Sequence, residues 1–189
     1  MYYQNVRGLR TKCTDLFIAS IACSYDIISF SETWLHSSIF DSELVHSDFV
    51  VYRCDRSVQS SVYSRGGGVL ISVRSIYSSE QIIVPRAENI EIIFVKVQMN
   101  VNVYLCGLYI PPGSDSLIFQ QFSDVFKSFI AIAQCKFDDI IVICGDFNCP
   151  AVDWFNDSDI SNILFPSNSS SNDIQNMFNL LLSSGLSQI

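Results

Sequence analysis

The run Ile140-Ile141-Val142-Ile143-Cys144-Gly145-Asp146-Phe147-Asn148 decides the fold: five apolar residues stop abruptly at a glycine, a carboxylate and a carboxamide. A short apolar run bounded by turn residues reads as a buried strand. Immediately upstream, Pro111-Pro112-Gly113 breaks a preceding strand, Val103 to Tyr109, and Ser114 is the expected cap of a helix. That helix carries its apolar stripe on Phe119, Phe122, Phe126, Phe129, Ile130 and Ala133. Strand, helix, strand is the crossover that parallel pairing requires, so both strands should end at the same edge of one sheet.

The same unit stands at the start of the chain. Residues 2–6 read as a strand, Arg7-Gly8-Leu9-Arg10 as a turn, 11–23 as a helix, and Asp26-Ile27-Ile28-Ser29-Phe30 as a second strand that runs into Ser31-Glu32-Thr33-Trp34. Asn5 and Glu32 are therefore expected near one edge. Between the two units lie successive strands, Phe49 to Cys54, Gly68 to Val73, Gln81 to Val84, and Ile90 to Gln98, the last joined to Val103–Tyr109 by a tight hairpin at Asn100-Val101-Asn102. Beyond Asn148, Pro166 to Asn172 reads as a polar loop. Residues 173–184 form a last amphipathic helix with Ile174, Met177, Phe178, Leu181 and Leu182 inward and Gly185 as its stop.

A chain of 189 residues makes one domain with a real core. Apolar residues are 49% of it and charged residues 16%, which excludes a disordered chain and leaves more apolar surface than a monomer comfortably carries. The net charge of −8 lacks the basic footprint of a nucleic-acid binder. The surplus is uneven: residues 1–95 hold 8 basic and 10 acidic side chains, residues 96–189 hold 3 and 9. A carboxylate cluster around a divalent cation would offset part of the second figure. Seven cysteines, none in a C-x-x-C pair, argue against a zinc site or a disulfide framework and for a reducing, intracellular compartment. No leader and no apolar run of spanning length is present, so a soluble protein without membrane contact is expected. Asn156-Asp157-Ser158 and Asn168-Ser169-Ser170 match the glycosylation pattern but read as polar loops.

Glu32 alone would pass for a solvated carboxylate at a strand end, Gly145-Asp146-Phe147-Asn148 for an ordinary turn, and Tyr109 for a structural aromatic. Two crossover units delivering such groups to strand ends point further, because ligands bind there in α/β sheets. Phosphodiester hydrolysis needs these residue types: hard oxygens for Mg²⁺, a carboxylate to orient water, and neutral amides for the phosphate. Arg65-Gly66-Gly67-Gly68-Val69 lacks dinucleotide spacing and reads as a flexible lead-in to a strand.

In their order, Gln4-Asn5, Ser31-Glu32-Thr33-Trp34, Arg65-Gly66-Gly67-Gly68, Tyr109-Ile110-Pro111-Pro112 and Gly145-Asp146-Phe147-Asn148 resemble the endonuclease/exonuclease/phosphatase family along the whole chain. The wording Asn5-Val6-Arg7-Gly8-Leu9 and Glu32-Thr33-Trp34-Leu35 is most similar to the endonuclease domain of non-LTR retrotransposons. The resemblance implies an α/β fold, a four-layered α/β/β/α sandwich of the DNase I-like type with the site across the tops of two packed sheets. It implies Glu32 as the principal ligand of Mg²⁺, with Mn²⁺ the alternative ion, and Asn5 as a nearby metal or phosphate contact. Tyr109 would touch the scissile phosphate, Asp146 would position the attacking water and Asn148 would bind a phosphate oxygen. The substrate would be DNA, nicked to leave a 3′-hydroxyl that primes a downstream reverse transcriptase domain, in the nucleus.

The family pattern also holds an aspartate-bearing strand and a closing Ser-Asp-His motif. Neither occurs here, and His36 and His46 lie in the loop after Glu32. The chain is thus expected to be a single domain, 1–189, lacking its last strands and inactive, any folded fraction cleaving far more slowly than an intact relative. Alternatives are a non-catalytic remnant or binding module, or a phosphatase or abasic-site nuclease of the same fold.

Overall fold

The computed structural model describes residues 1–56, 66–150, 152–156, 164–169 and 171–186. Strands β1 (Tyr2–Asn5) and β2 (Ile27–Ser31) flank helix α1 (Cys13–Ala22), and β3 (Phe49–Cys54) and β4 (Val69–Arg74) complete a sheet of order β1-β2-β4-β3. β5 (Ser78–Ile82), β6 (Glu91–Gln98), β7 (Asn102–Tyr109) and β8 (Ile140–Asp146) form the second sheet in sequence order. Helix α2 (Ser116–Ala133) links β7 to β8. β1 pairs with β2 and β7 with β8 in parallel, as the two crossovers require.

The alternation of side chains along the strands sorts them into three apolar layers. Ile27, Val69, Ile71 and Val73 of the first sheet meet Ile93, Val95, Val97 and Leu105 of the second. On the outer face of the first sheet, Ile28, Phe30 and Leu70 pack with Leu16 of α1 and the loop residues Leu44 and Val45. Behind the second sheet, Phe94, Tyr104, Cys106 and Leu108 meet Phe119, Phe122, Phe126 and Phe129 of α2. Phe94 stacks on Phe129 with ring centroids 4.3 Å apart. The layers are α, β, β, α. Gly107 lies between the sheets, where an added Cβ would sit 3.2 Å from Ile71 Cδ1 and 3.3 Å from Ile93, so the close approach of the sheets there excludes a larger side chain.

Several local expectations need correction. The helix cap is Asp115, whose Oδ1 accepts the N–H of Ile118, while Ser114 donates to the carbonyl of Pro111 inside the turn. β5 begins three residues before the expected Gln81, because its cross-strand partners reach back to Ser78 opposite Gln98. The polar loop after Asn148 contains an antiparallel pair, β9 (Val152–Asn156) with β10 (Leu164–Ser169), followed by helix α3 (Asn172–Ser183) packed on α2. Asn156 and Asn168 therefore belong to strands and not to loops. Pro166 and the polar composition hid β10, since the pairing that stabilises it comes from β9. Gly185, at φ +77, ends α3 as expected, and the N–H of Leu186 returns to the carbonyl of Leu181. All seven cysteines are free. Among the described residues no helix is long and apolar enough to cross a membrane.

β1 and β8 are edge strands on one side of the two sheets, near enough for Cys144 Sγ to lie 4.0 Å from Met1 Sδ. Among the described residues no strand pairs the outer side of β8, although its first five residues are all apolar. Such an edge is a template for pairing between chains. The purified chain is therefore expected to self-associate, and Ile140→Lys, at a half-exposed edge position, should raise the monomer fraction in size-exclusion chromatography. An unchanged elution profile for that variant would place the self-association elsewhere.

Candidate active site

Parallel pairing aligns the ends of β1 with β2 and of β7 with β8. Asn5 lies in register with Ser31, the residue before Glu32, and Tyr109 with Asp146. Face-to-face packing of the sheets then brings the two ends together. The Asn5 Nδ2 donates to Asp146 Oδ2 at 3.0 Å across 141 positions of sequence. Asp146 Oδ1 accepts the backbone N–H of Asn148 at 3.1 Å, so both carboxylate oxygens are held. Asn148 Nδ2 donates to the carbonyl of Ile110 at 2.7 Å, which leaves its second N–H for another acceptor. Asn5 Oδ1 accepts the N–H of Arg7 at 3.2 Å.

Tyr109 joins the group from the second sheet. Its ring is buried among the inter-sheet residues, and its hydroxyl lies in the field of the Glu32 carboxylate. Burial, then the neighbouring Glu32 carboxylate, push the phenol well above its ordinary range. It is protonated at any working pH. Asn5, Glu32, Tyr109, Asp146 and Asn148 thus stand at the same end of the two sheets, with the Tyr109 ring packed in the layer between them.

The backbone at this end is unusual. Arg7, Glu32, Trp34 and Asn148 have φ between +47 and +55, a region that costs a non-glycine residue roughly 1–2 kcal/mol. Tertiary contacts hold it: the N–H groups of Gly8 and Leu9 donate to the carbonyls of Glu32 and Thr33, and those of Thr33 and Trp34 to Gly68 and Gly67. The expected flexible glycine lead-in is instead a packed turn. Gly66, Gly67 and Gly68 all have positive φ, and a Cβ at Gly67 or Gly68 would lie 2.5 Å from the Arg56 guanidinium or Thr33 Oγ1. Arg65, in the same motif, lies outside the described residues.

Three site neighbours were not expected from sequence. Tyr3 bonds Ser31 at 2.9 Å, and its phenol is raised, first by burial and in part by the charges of Asp146 and Glu32. Its signal is the alternation along β1, which sets Tyr3 and Asn5 on one face. Arg56 and Glu91 form a buried ion pair beside Tyr109, and its signal is an acidic residue opening an otherwise apolar strand. Neither histidine joins: His36 bonds Ser38, and His46 bonds Asp48 and packs on Phe17 of α1.

The endonuclease/exonuclease/phosphatase family matches residues 3–172 of the chain. The chain belongs to that family. Among solved structures it is similar to the endonuclease domain of TRAS1, a telomere-specific non-LTR retrotransposon, with 12% identity and a TM-score of 0.59 over 97% of this chain and 69% of that one. It is also similar to the 3′-5′ exonuclease NExo from Neisseria meningitidis (18%, TM-score 0.55, 96% and 69%) and to ANGEL2, a 2′,3′-cyclic phosphatase (13%, TM-score 0.52, 78% and 51%). No curated protein matches the sequence. These likenesses establish the DNase I-like fold of a family of phosphodiester hydrolases.

Gly145 sets Asp146 against β7. A Cβ there would lie 2.3 Å from the carbonyl oxygen and 2.7 Å from the Cβ of Leu108. Gly145→Ala should therefore destabilise the chain by about 1–3 kcal/mol through overpacking, read as a lower urea midpoint. An unchanged midpoint would mean that β8 moves off β7 without cost.

Proposed function

We propose that the chain is a metal-dependent phosphodiesterase domain that nicks DNA to leave a 3′-hydroxyl, of the kind that primes reverse transcription in non-LTR retrotransposons. The observation that carries this reading is the convergence of Asn5, Glu32, Tyr109, Asp146 and Asn148, with Asp146 held by Asn5 from the other sheet. In that setting a downstream reverse transcriptase domain would be its partner and the nucleus its place of action. The motif wording around Asn5 and Glu32 supports the retrotransposon type.

The donor set fits a hard cation. Among the described residues no three His, Cys, Asp or Glu side chains are grouped as a metal cage, but Mg²⁺ is held through one or two carboxylates and keeps water and phosphate as its other ligands. Glu32, with Asn5 beside it, would hold Mg²⁺ or Mn²⁺, which when bound polarises the phosphoryl oxygen. Asp146 keeps a lone pair on each oxygen to accept a proton of the attacking water, in an orientation fixed by its two hydrogen bonds. Tyr109 presents a neutral hydroxyl to the phosphate, and Asn148 its free amide N–H. Both stabilise charge without changing protonation.

No histidine serves proton transfer from within the described site. A positioned acid or base contributes about 10²–10⁴ in rate, so the chain by itself should bind metal and cleave slowly. Single-turnover nicking of supercoiled plasmid with Mg²⁺ should be measurable at long incubation. Glu32→Ala should abolish it and reduce Mn²⁺ affinity in calorimetry by at least about tenfold. Nicking that survives Glu32→Ala would remove the metal role from that residue. Because burial holds the phenol protonated, Tyr109→Phe should lower the rate about 10–100-fold without moving the pH profile between roughly pH 6 and 9. A profile displaced by that substitution would assign the titration to Tyr109 and contradict this account.

A further inference from the structure

The inter-sheet layer contains one charged residue that no solvent reaches. Glu91 is 1% exposed and follows the same alternation as Ile93, Val95 and Val97, so its side chain occupies a position that the strand otherwise gives to apolar groups. Its partner is Arg56, which donates from Nε to Oε1 at 2.7 Å and from Nη2 to Oε2 at 2.9 Å, a two-point fork. Glu91 is the cross-strand neighbour of Tyr109. The Arg56 guanidinium carbon lies 5.6 Å from the centre of the Tyr109 ring.

A buried pair of this kind is poor evidence for stability. Desolvating two ions costs about as much as their attraction returns, and apolar residues of similar volume frequently serve a core as well or better. Something other than stability must account for a charge pair in this layer. Its surroundings indicate what: one flank of the guanidinium is the Tyr109 ring, and Gly67, at φ +68, lies so close that a Cβ there would fall 2.5 Å from the guanidinium carbon. Gly67 and Gly68 in turn accept the N–H groups of Trp34 and Thr33, the two residues that follow Glu32. Arg56 therefore touches both the Tyr109 ring and the turn that holds the backbone immediately after Glu32.

We propose that Arg56 and Glu91 are positioning residues for the reaction: their ion pair sets the Tyr109 ring and the glycine turn in fixed relation, and thereby fixes where Tyr109 stands relative to the backbone that carries Glu32. The proposal rests on the assignment of Tyr109 and Glu32 to the phosphodiesterase site. The pair touches neither substrate nor metal. A planar, forked cation is needed because it must bond a carboxylate with its edge and face an aromatic ring, which an ammonium cannot do together.

The test is a thermodynamic cycle combined with an activity measurement. Arg56→Met with Glu91→Met removes the pair and fills its volume, and the double variant should melt close to the parent. In the parent, Tyr109→Leu removes the ring that the guanidinium faces and should change the unfolding equilibrium constant at least about threefold more than in the double variant, the worth of a cation–π contact. Nicking by the double variant should fall about 100-fold in kcat with little change in KM. An equal effect of Tyr109→Leu in both backgrounds, or a double variant that nicks like the parent, would overturn the proposal. If the double variant does not fold, Arg56→Lys takes its place: charge is kept, the fork is lost, and the coupling to Tyr109→Leu should fall in the same way. A parent chain that shows no nicking would count against the proposed function alone, because the coupling arm reads only stability.

Discussion

Everything at the site depends on two sheets being pressed face to face. Ile27, Val69, Ile71 and Val73 on one side and Ile93, Val95, Val97 and Leu105 on the other form one apolar layer, and Gly107 sets how closely they approach. The two sheets share the polar groups. Asn5 and Glu32 come from the first, Tyr109, Asp146 and Asn148 from the second. The 3.0 Å bond from Asn5 to Asp146 exists only because this layer fixes the sheets in one relation.

The two crossovers contribute the second constraint. A parallel pair must run in the same direction, so α1 and α2 oblige β1 and β2, and β7 and β8, to end at the same level. Strand ends are also where backbone groups become free of the ladder. Left-handed residues at Glu32, Trp34 and Asn148 use that freedom, and the glycine turn at residues 66–68 supplies the carbonyls that hold the first two in place. The cost of such backbone is of the order of 1–2 kcal/mol per residue and is tolerated where surrounding contacts over-determine the shape.

Charge is distributed accordingly. Glu32 and Asp146 both act on the neutral Tyr109 phenol, and the Asn5 amide bonds Asp146. A divalent cation and a phosphate would complete this arrangement. Among the described residues the one fully buried charge, Glu91, is neutralised by Arg56, so the pair contributes no net repulsion to the carboxylates above it.

The periodicity of apolar residues was enough to read both crossovers and the strand-end placement of Asn5, Glu32, Tyr109 and Asp146, because local alternation and helical spacing are set by which residues must be buried; the two-sheet sandwich followed only from the motif resemblance. Turn chemistry was legible only in part: Gly185 ended its helix as read, while Asp115 displaced Ser114 as the cap by one residue. Other features depended on partners distant in sequence. β10 is a strand only because β9 lies beside it, the glycine run is rigid only because Trp34, Arg56 and Thr33 pack on it, and Glu91 is buried only because Arg56 arrives 35 positions away to pair with it. A sequence determines which side chains need burial or bonding. Which group satisfies them is decided when the sheets close, since hydrogen bonds, ion pairs and close backbone approaches are set by distances that no residue carries alone.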